Sequence, residues 1–262
     1  MSALDLDALL ALATRAACAG GEIVQRHFRR ADGVHEKAPG DWVSAADLAS
    51  EARIREILTA GGPLPVYGEE AGGEETDTGW LVDPLDGTAN FLHGFDAVGV
   101  SVGLIEDGVP VLGVVHAPLL DRTYHAARGH GAFRDAQPIH VSTRAPAQAI
   151  VGTGFPFRRK DLLTRYEQLF SGAMHRFEDL RRPGAASLDL CWTAEGVFDG
   201  FFELRLGPWD VAAGALIVRE AGGIVTDWSG DDRAWLRSGD ILAGPPAVHA
   251  ELREIAAGTA SQ

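Results

Sequence analysis

The chain begins with apolar residues three or four positions apart, a spacing that places them on one side of an α-helix. They run from Leu6 to Phe28 and predict a long amphipathic helix over residues 4–28. Ser44-Ala45-Ala46-Asp47 has the form of a capping box with Asp in place of Glu, and it predicts the start of a second helix that continues to residue 58. The chain therefore opens with two helices.

Short runs of β-branched and aromatic residues then predict strands. These cover residues 65–68, 80–82, 98–105 and 109–115, with further short strands between residues 122 and 141. Residues 70–79 are rich in Gly and acidic residues, so we expect an exposed loop there. Glu106-Asp107-Gly108 separates two apolar runs and predicts the turn of a β-hairpin.

After about residue 145 helical and strand patterns alternate. The predicted elements are strands at 149–153, 198–206, 224–226 and 240–243, and helices at 162–174, 185–194, 211–221 and 247–256. This order predicts a mixed α/β architecture rather than a pure β-sandwich. No internal repeat, low-complexity tract or linker interrupts the sequence, so two halves are expected to share one core.

Composition and charge narrow the class of protein. The 262 residues are 46% hydrophobic and 23% charged, with a net charge of −14, which is the profile of a globular protein without a broad basic surface. We therefore expect no nucleic-acid partner. Asp5 and Asp7 stand where a secretory signal carries basic residues, and no apolar run approaches the roughly 20 residues that span a bilayer. Cys18 and Cys191 lie in apolar helical stretches and indicate buried thiols, so a cytoplasmic protein is predicted.

The strongest chemical signal is Asp-Pro-Leu-Asp-Gly-Thr-Ala-Asn-Phe at residues 83–91. Its two carboxylates follow an apolar strand, and closely spaced oxygen ligands suit a hard cation such as Mg²⁺. Gly87 and Thr88 offer N–H groups where a helix can begin, which is a favourable place for an anion. A plain turn, in which Asp, Pro and Gly follow their local preferences, is the alternative interpretation.

Three further acidic segments allow two interpretations each. Gly68-Glu69-Glu70 follows a strand and is either a ligand pair or a solvated loop. Asp210, before an apolar helix, is either a ligand or an N-cap. Lys37 to Asp41, followed by Asp47, is either part of a site or a surface loop with a charge that favours the helix dipole.

Taken together and in this order, the segments resemble the inositol monophosphatase family of lithium-sensitive phosphatases. The resemblance rests on GEE, WLVDPLDGTANF and PWDVAAGALIVREAGG, supported by GDWVSAAD and TGFPFR, and extends over nearly the whole chain. It implies a layered αβαβα sandwich of the inositol monophosphatase and fructose bisphosphatase type. Residues 1–145 would form an α+β half with most metal ligands, and residues 146–262 an α/β half with Asp210 and the substrate pocket, packed as one compact unit. The resemblance also implies a homodimer.

The same resemblance implies the site chemistry. Glu69, Asp83 and the Leu85 carbonyl correspond to a first metal site, and Asp83, Asp86 and Asp210 to a second, so two or three Mg²⁺ ions are expected. Glu69 also counts among the implied catalytic residues, together with Thr88 and Asp47, which activate the water that attacks phosphorus in line. Gly87 and Thr88 would hold the phosphate through their N–H groups. Lys37 and Asp41 correspond to a mobile loop where a further ion binds.

Substrate choice is expected to depend on Glu203, which resembles the family's acceptor for inositol hydroxyls, although an exposed charge at a strand end is the alternative. Gly184 and Ala186 correspond to small residues of the same pocket, to which Asp210 also belongs. These residues favour an inositol monophosphate among small phosphorylated metabolites. Histidinol phosphate, fructose bisphosphate and a nucleotide remain alternatives, as does a non-enzymatic, regulatory role through protein partners.

Overall fold

The N-terminal helices form where the sequence predicts them. The computed structural model describes residues 4–30, 33–38 and 41–259, and helix α1 covers Leu6–His27. A short hairpin follows, with strands β1 at His35–Ala38 and β2 at Asp41–Val43, which the sequence analysis did not predict. Helix α2 covers Ala45–Ala60. Its capping box is confirmed, because the Ser44 side chain accepts a hydrogen bond from the Ala46 N–H and Asp47 accepts one from the Ser44 N–H.

The largest sheet has seven strands in the order β3-β4-β5-β6-β7-β8-β9. They are β3 Val66–Gly68, β4 Gly79–Asp86, β5 Gly99–Glu106, β6 Val109–Ala117, β7 Arg122–Ala127, β8 Ala132–Arg134 and β9 Gln137–Pro138. Strands β3 and β4 are parallel and every other pair is antiparallel. The predicted hairpin around Gly108 joins β5 to β6, and the short helix α3, Thr88–His93, separates β4 from β5.

The remainder of the chain builds a five-stranded sheet and its helices. Its strands are β10 Ile150–Thr153, β11 Asp179–Arg181, β12 Gly200–Glu203, β13 Ile224–Thr226 and β14 Ile241–Gly244, in the order β11-β10-β12-β14-β13. The helices are α4 Leu163–Arg176, α5 Ala186–Ala194, α6 Pro208–Glu220, α7 Trp235–Ser238 and α8 Pro246–Thr259, with 3₁₀ turns at Pro146–Gln148 and Lys160–Leu162. Strand β11 and helix α7 were not predicted.

Three apolar clusters stack these elements into layers. Trp80 and Val82 of β4 pack with α1 and α2, whereas Leu81 between them belongs to the cluster that contains α5 and α6. Phe201 of β12 joins that central cluster, while its neighbour Phe202 packs with α4 and α8 on the other face. Side chains alternate across a strand, so each sheet is covered on both faces. The layer order is α1/α2, large sheet, α5/α6, small sheet and α4/α8, which confirms the predicted αβαβα sandwich.

Two corrections to the predicted boundaries concern the site. Strand β4 continues through Asp83 to Asp86, so the acidic pair lies within the strand and its irregular end rather than after it. Helix α6 begins at Pro208, not at residue 211, because Pro is well accommodated in a first helical turn. Within the described ranges, no helix has the length and apolar character needed to cross a bilayer.

Candidate active site

Asp83 lies on the inner face of the large sheet. It follows Leu81 by two positions on β4 and therefore points toward α5 and α6. Its side chain is almost fully buried, and its Oδ1 accepts the Leu85 N–H at 2.9 Å. The strand pairing with β5 becomes irregular between Asp83 and Asp86, so the chain turns here. The turn interpretation is thus correct as local geometry, but it leaves a buried carboxylate that faces other acids.

A glycine joins this turn to α3. Gly87 has φ of +88°, a left-handed conformation that strains other residues, and a Cβ there would lie 2.9 Å from the Ala97 carbonyl oxygen. This turn places Thr88 in the first position of α3. Asn90, the third residue of α3, donates to the carbonyl oxygens of Ala97 at 2.8 Å and Pro183 at 2.9 Å. These two bonds bring the segment that contains Gly184 against the DPLDGTANF segment.

The Thr88 hydroxyl lies between two acceptors. Its Oγ1 is 3.1 Å from Asp47 Oδ1 and 3.1 Å from the Leu85 carbonyl oxygen. Asp47 is 1% exposed, and its Oδ2 accepts both the N–H and the hydroxyl of Ser44. Burial raises the pKa of Asp47, whereas the Ser44 hydrogen bonds lower it. Asp47 therefore combines the helix-start role with a direct contact to Thr88.

Glu69 and Glu70 are not solvated loop residues. The Glu70 side chain is only 4% exposed, and the Lys37 ammonium lies 2.7 Å from its carboxylate and 3.3 Å from that of Glu69. Burial raises the pKa of Glu69, and Lys37 lowers it. The structure thus brings Lys37 to the predicted site. The side chain of Asp41 lies outside the described residues, so its predicted place in the loop stays a prediction.

Asp210 reaches the large sheet because α6 begins against it. Ser101, the pairing partner of Asp83 on β5, donates its hydroxyl to the Trp209 carbonyl oxygen at 2.9 Å. Asp210 is the third residue of α6, and its Oδ2 accepts the Gly207 N–H at 2.6 Å. The N-cap is Gly207, so the N-cap interpretation of Asp210 was wrong by one helical turn. Asp210 nevertheless caps the helix and faces Asp83.

Three carboxylates converge on one point. One oxygen each from Glu69, Asp83 and Asp210 lies within 4.8 Å of the other two. Burial, followed by repulsion from Glu69, Asp86 and Asp210, raises the pKa of Asp83 well above its usual range, and burial likewise raises that of Asp210. Among the residues that the structure describes, Asp83 and Asp210 have no basic ion-pair partner. Three hard oxygen donors, of which only Glu69 has a basic partner among the described residues, fit a divalent cation such as Mg²⁺.

Asp86 lies beside this cluster but is held from the other half of the chain. Its Oδ2 accepts the Ser187 N–H at 2.7 Å and the Ser187 hydroxyl at 2.6 Å. Burial raises the pKa of Asp86, and these hydrogen bonds lower it. The second oxygen of Asp86 is the atom that could serve a further cation. The three-carboxylate group therefore contains two members of each predicted metal site, but not Asp86.

Glu203, which the sequence places in the substrate pocket, lies near Arg182 and Arg158. A Cβ at Gly154 would overlap the Glu203 carboxylate, so only glycine leaves room for it. Burial and nearby Asp86 raise the pKa of Glu203 to about 8, while Arg182 and Arg158 act in the opposite direction. Glu203 is partly buried, which excludes the alternative of an exposed strand-end charge.

The two small residues predicted for the same pocket lie near Arg182 and at the start of α5. Gly184 has φ of +89° and lies close to the Arg182 guanidinium, while Ala186 is buried at the start of α5. The guanidinium of Arg182 packs over the rings of Phe155 and Phe157, at 5.5 and 5.6 Å from their centroids. A cationic and aromatic rim therefore faces Glu203.

Several residues of this region were not predicted from the sequence. Arg158 and Arg182 carry no distinguishing pattern beyond the TGFPFR segment and a basic pair. Ser187 follows the predicted Ala186 directly, and no residue pattern indicates that it holds Asp86. Asp189 of α5 is fully buried, and neither of its carboxylate oxygens has a hydrogen-bond partner within the described part of the chain. Burial, followed by repulsion from Glu203 and Asp86, raises its pKa well above the usual range.

Comparison with known proteins agrees with this geometry. A model of the inositol monophosphatase family matches residues 5–260. The chain belongs to the inositol monophosphatase family. It is 42% identical over 257 residues to the putative Nus factor SuhB of Neisseria meningitidis serogroup B, covering 95% of this chain and 98% of that protein. It is also 38% identical over 258 residues to fructose-1,6-bisphosphatase/inositol-1-monophosphatase of Aquifex aeolicus, covering 96% of each.

A solved structure of the family has the same fold. The crystal structure of the extragenic suppressor protein suhB from Bartonella henselae matches with a TM-score of 0.90 at 36% identity, over 95% of this chain and 98% of that one. Family membership supports a phosphatase. The relatives named as Nus factors do not fit the expectation that the protein has no nucleic-acid partner, so that expectation is not supported.

Proposed function

We propose that the protein is a Mg²⁺-dependent phosphatase of small phosphate monoesters, with an inositol monophosphate as the preferred substrate. The observation that carries this proposal is the convergence of Glu69, Asp83 and Asp210 within 4.8 Å, next to the Thr88–Asp47 pair. Glu69, Asp83, Asp210, the Leu85 carbonyl and the second oxygen of Asp86 would hold the ions. When bound, Mg²⁺ ions neutralise charge on the phosphoryl group and acidify water.

The residues of the chain have distinct tasks in this proposal. Thr88 donates its hydroxyl hydrogen to Asp47 and so presents an oxygen lone pair to a water molecule. The buried Asp47, fixed by Ser44, orients the hydroxyl and can take up the displaced proton. The N–H groups of Gly87 and Thr88 bind phosphate oxygens. Asp210 and Asp86 face the side from which the alcohol leaves.

The pocket around Glu203 supports a polyol as the leaving group. A carboxylate accepts hydrogen bonds from neighbouring hydroxyls, and Gly154 keeps the space in which Glu203 lies. Histidinol phosphate is less well supported, because its amine would face Arg182 and Arg158 as well as Glu203. The arginines repel a cationic leaving group and accept a neutral or anionic one.

A bisphosphorylated sugar is the second candidate substrate. Arg182 and Arg158 both lie close enough to Glu203 to lower its pKa, and guanidinium groups bind phosphates well. The relative from Aquifex aeolicus is named as both a fructose bisphosphatase and an inositol monophosphatase. A substrate with a second phosphate would therefore compete with the inositol ester for the same rim.

A regulatory role is supported by the names of the Nus factor relatives. Such a role through protein partners would not require the carboxylate cluster. Cells that lack the gene and grow poorly would be given an Asp83→Asn variant without phosphatase activity. If this variant restored normal growth, the regulatory role would be favoured over the enzymatic one. The homodimer and lithium sensitivity remain predictions from the resemblance, and the cytoplasmic location remains a prediction from the sequence.

The decisive experiment is a phosphate-release assay with inositol, histidinol, fructose and nucleotide phosphates at saturating Mg²⁺. We expect the highest kcat/KM with the inositol ester, and activity that chelation of the metal abolishes. An Arg182→Gln variant should lose rate with fructose bisphosphate more than with the inositol ester. Absence of hydrolysis of every ester would refute the enzymatic proposal, and equal rates across the panel would refute the role given to Glu203.

A further inference from the structure

Helix α2 carries three charged side chains on one face, four positions apart. They are Asp47, Glu51 and Arg55, and residues at this spacing lie above one another along a helix. Asp47 contacts Thr88, as described above. Glu51 and Arg55 lie one and two turns further along and contact the segment after β3, which carries Glu69. Glu51 and Arg55 belong neither to the carboxylate cluster nor to the Thr88–Asp47 contact.

Glu51 is a buried carboxylate whose two oxygens both accept from N–H groups. Its Oε2 accepts the Glu70 N–H at 2.8 Å, and its Oε1 accepts the Ala71 N–H at 3.1 Å. Oε1 also accepts the Arg55 Nε–H at 2.7 Å. The side chain is 2% exposed, so these bonds are not exchanged with solvent. Charge-assisted bonds of this kind are stronger and more directional than neutral ones.

Arg55 completes the attachment. In addition to its bond with Glu51, it donates to the Val66 carbonyl oxygen at 3.0 Å and to that of Gly72. The pair thus contacts the backbone on both sides of Glu69. Glu69 itself donates its N–H to the Val82 carbonyl oxygen at 3.0 Å, on the strand that carries Asp83. The backbone of Glu69 is therefore fixed from β4 on one side and from α2 on the other.

The sequence makes room for this contact at Gly68. A Cβ at this position would overlap the Glu51 carboxylate, so any other residue would push Glu51 away from the Glu70 and Ala71 amides. Gly68 directly precedes Glu69. The glycine of the GEE segment is thus explained by the space that the Glu51 carboxylate occupies rather than by a turn of unusual φ.

We propose that Glu51 is a positioning residue, which sets the direction of the Glu69 carboxylate toward Asp83 and Asp210 through the backbone of Glu70 and Ala71. Glu51 does not contact the substrate or the ions. The inference rests on the proposed function, because Glu69 is a ligand only if the cluster binds Mg²⁺. Helix α2 would thus have two tasks: Asp47 contacts Thr88, and Glu51 aligns the ligand Glu69.

A purely structural role and a positioning role predict different measurements. If Glu51 only stabilises the fold, its loss lowers the thermal midpoint but leaves the metal affinity of folded molecules unchanged. If Glu51 positions Glu69, its loss weakens Mg²⁺ binding in molecules that are still folded. Residues that orient metal ligands typically change the affinity for the metal by about 10- to 100-fold when removed.

Glu51→Gln is the appropriate variant. It keeps the size of the side chain, but its NH₂ group must face an N–H donor in either orientation, because both oxygens of Glu51 accept. Asp199→Asn is the matched control. Asp199 is also fully buried, and it accepts the Ile150 N–H at 2.7 Å and an Arg144 N–H at 2.8 Å, at the end of β12 opposite to Glu203.

The experiment measures the rise in thermal midpoint with Mg²⁺ concentration, without substrate, and then kcat and KM at each Mg²⁺ concentration. For Glu51→Gln we expect the half-saturating Mg²⁺ concentration to rise about 10- to 100-fold in both assays, with KM unchanged at saturating Mg²⁺. Asp199→Asn should lower the midpoint in the absence of metal and leave the half-saturating concentration as in the wild type.

Gly68→Ala provides an independent test, because it displaces Glu51 without removing it. It should reproduce the shift of Glu51→Gln, and the double variant should show little further effect. If the wild type responds to Mg²⁺ and both variants have the same half-saturating Mg²⁺ concentration as the wild type, the inference is overturned and the proposed function remains intact. A wild type without any Mg²⁺ response would overturn both.

Discussion

The hydroxyl of Thr88 lies 3.1 Å from Oδ1 of Asp47, although the two residues are 41 positions apart. The hydroxyl has one hydrogen to donate, and the Leu85 carbonyl oxygen at 3.1 Å is its other acceptor. Donation to Asp47 leaves the lone pairs of the Thr88 oxygen free to accept a hydrogen bond from a water molecule. The pair can therefore receive a proton from water at that position.

Replacing Thr88 by Ala should remove this proton path and leave the carboxylate cluster in place. We expect kcat to fall by about 10²- to 10⁴-fold, the range for loss of a positioned acid–base group, with the half-saturating Mg²⁺ concentration little changed. Thr88→Ser keeps the hydroxyl and should retain most of the activity. Steady-state kinetics on the three proteins would test this, and full activity in Thr88→Ala would show that the hydroxyl has no part in catalysis.

Asp83→Asn should lower the affinity for Mg²⁺ more than any other single substitution in the carboxylate cluster. Asp83 is the most enclosed of the three converging carboxylates, and each of the others lies within 4.8 Å of it. We expect Mg²⁺ affinity to fall by more than the factor of about 100 typical for loss of a supporting residue. Calorimetric titration with Mg²⁺ measures this directly, and wild-type affinity in the variant would contradict the assignment of Asp83 as a shared ligand.

The stability of the metal-free protein should depend on pH in a defined direction. Burial raises the pKa values of Glu69, Asp83, Asp86 and Asp210, so the folded state holds their protons more tightly than the unfolded state. This contribution is complete below the ordinary carboxyl pKa of about 4 and is lost as pH rises through the raised values. With chelator present, the thermal midpoint should therefore fall from pH 5 to pH 8, once the contribution of all other titrating groups of the protein has been subtracted.

Added Mg²⁺ should reverse this trend, because ions bind the deprotonated carboxylates. The rise in thermal midpoint on adding saturating Mg²⁺ should be larger at pH 8 than at pH 5. Asp83→Asn serves as the control, since it removes one of the titrating groups and should reduce the difference between the two pH values. An equal effect of Mg²⁺ at both pH values would indicate that the cluster is not the site of binding.

Gly154→Ala should change the substrate preference without touching the carboxylate cluster. Its Cβ would overlap the Glu203 carboxylate and move it out of the pocket. A hydrogen bond to a charged group is worth about 1.5–3 kcal/mol, so KM for the inositol ester should rise about 10- to 100-fold. Hydrolysis of 4-nitrophenyl phosphate, which lacks the hydroxyls, should change little, and equal losses on both substrates would refute a selective role for Glu203.

Asp189→Asn should stabilise the protein at neutral and alkaline pH. The raised pKa of Asp189 means that folding at pH 8 requires either uptake of a proton or a buried charge, and Asn requires neither. We expect a gain of about 1–3 kcal/mol in the free energy of unfolding at pH 8, because the buried carboxyl must lose its solvation as an anion or take up a proton and the neutral amide does neither. The gain should shrink as pH falls and vanish below about pH 4, where Asp189 is protonated in both the folded and the unfolded state.

The sequence predicted most helices and strands and the acidic segments because these have local patterns. Helical periodicity predicted α1, and the Ser-x-x-Asp capping pattern predicted the start of α2. The order of the acidic segments gave the converging residues, through the resemblance to the family. The layer order itself came from that resemblance and not from periodicity.

What the sequence did not predict depends on contacts between distant segments. Ser187 holds Asp86 across 101 positions, and the Glu51 carboxylate meets the Glu70 amide across 19. Neither contact has a local pattern, although the spacing of Asp47, Glu51 and Arg55 was a usable signal. The boundary at Asp86 was missed because the irregular pairing of β4 is set by tertiary packing rather than by propensity. The start of α6 had a local signal, a Pro at the first helical position, which the sequence analysis did not use.

The order of strands in the small sheet has a consequence for synthesis of the chain. Strand β14 lies between β12 and β13, so the neighbour that supports Glu203 is translated almost forty residues after it. Asp210, on α6, is also translated long after Glu69 and Asp83. A ribosome-bound chain with β4 and β5 already paired therefore still lacks part of its carboxylate cluster, and its leaving-group pocket is unsupported until residues 241–244 have emerged. Competence to bind metal should therefore arise only after Asp210 on α6 has emerged from the ribosome.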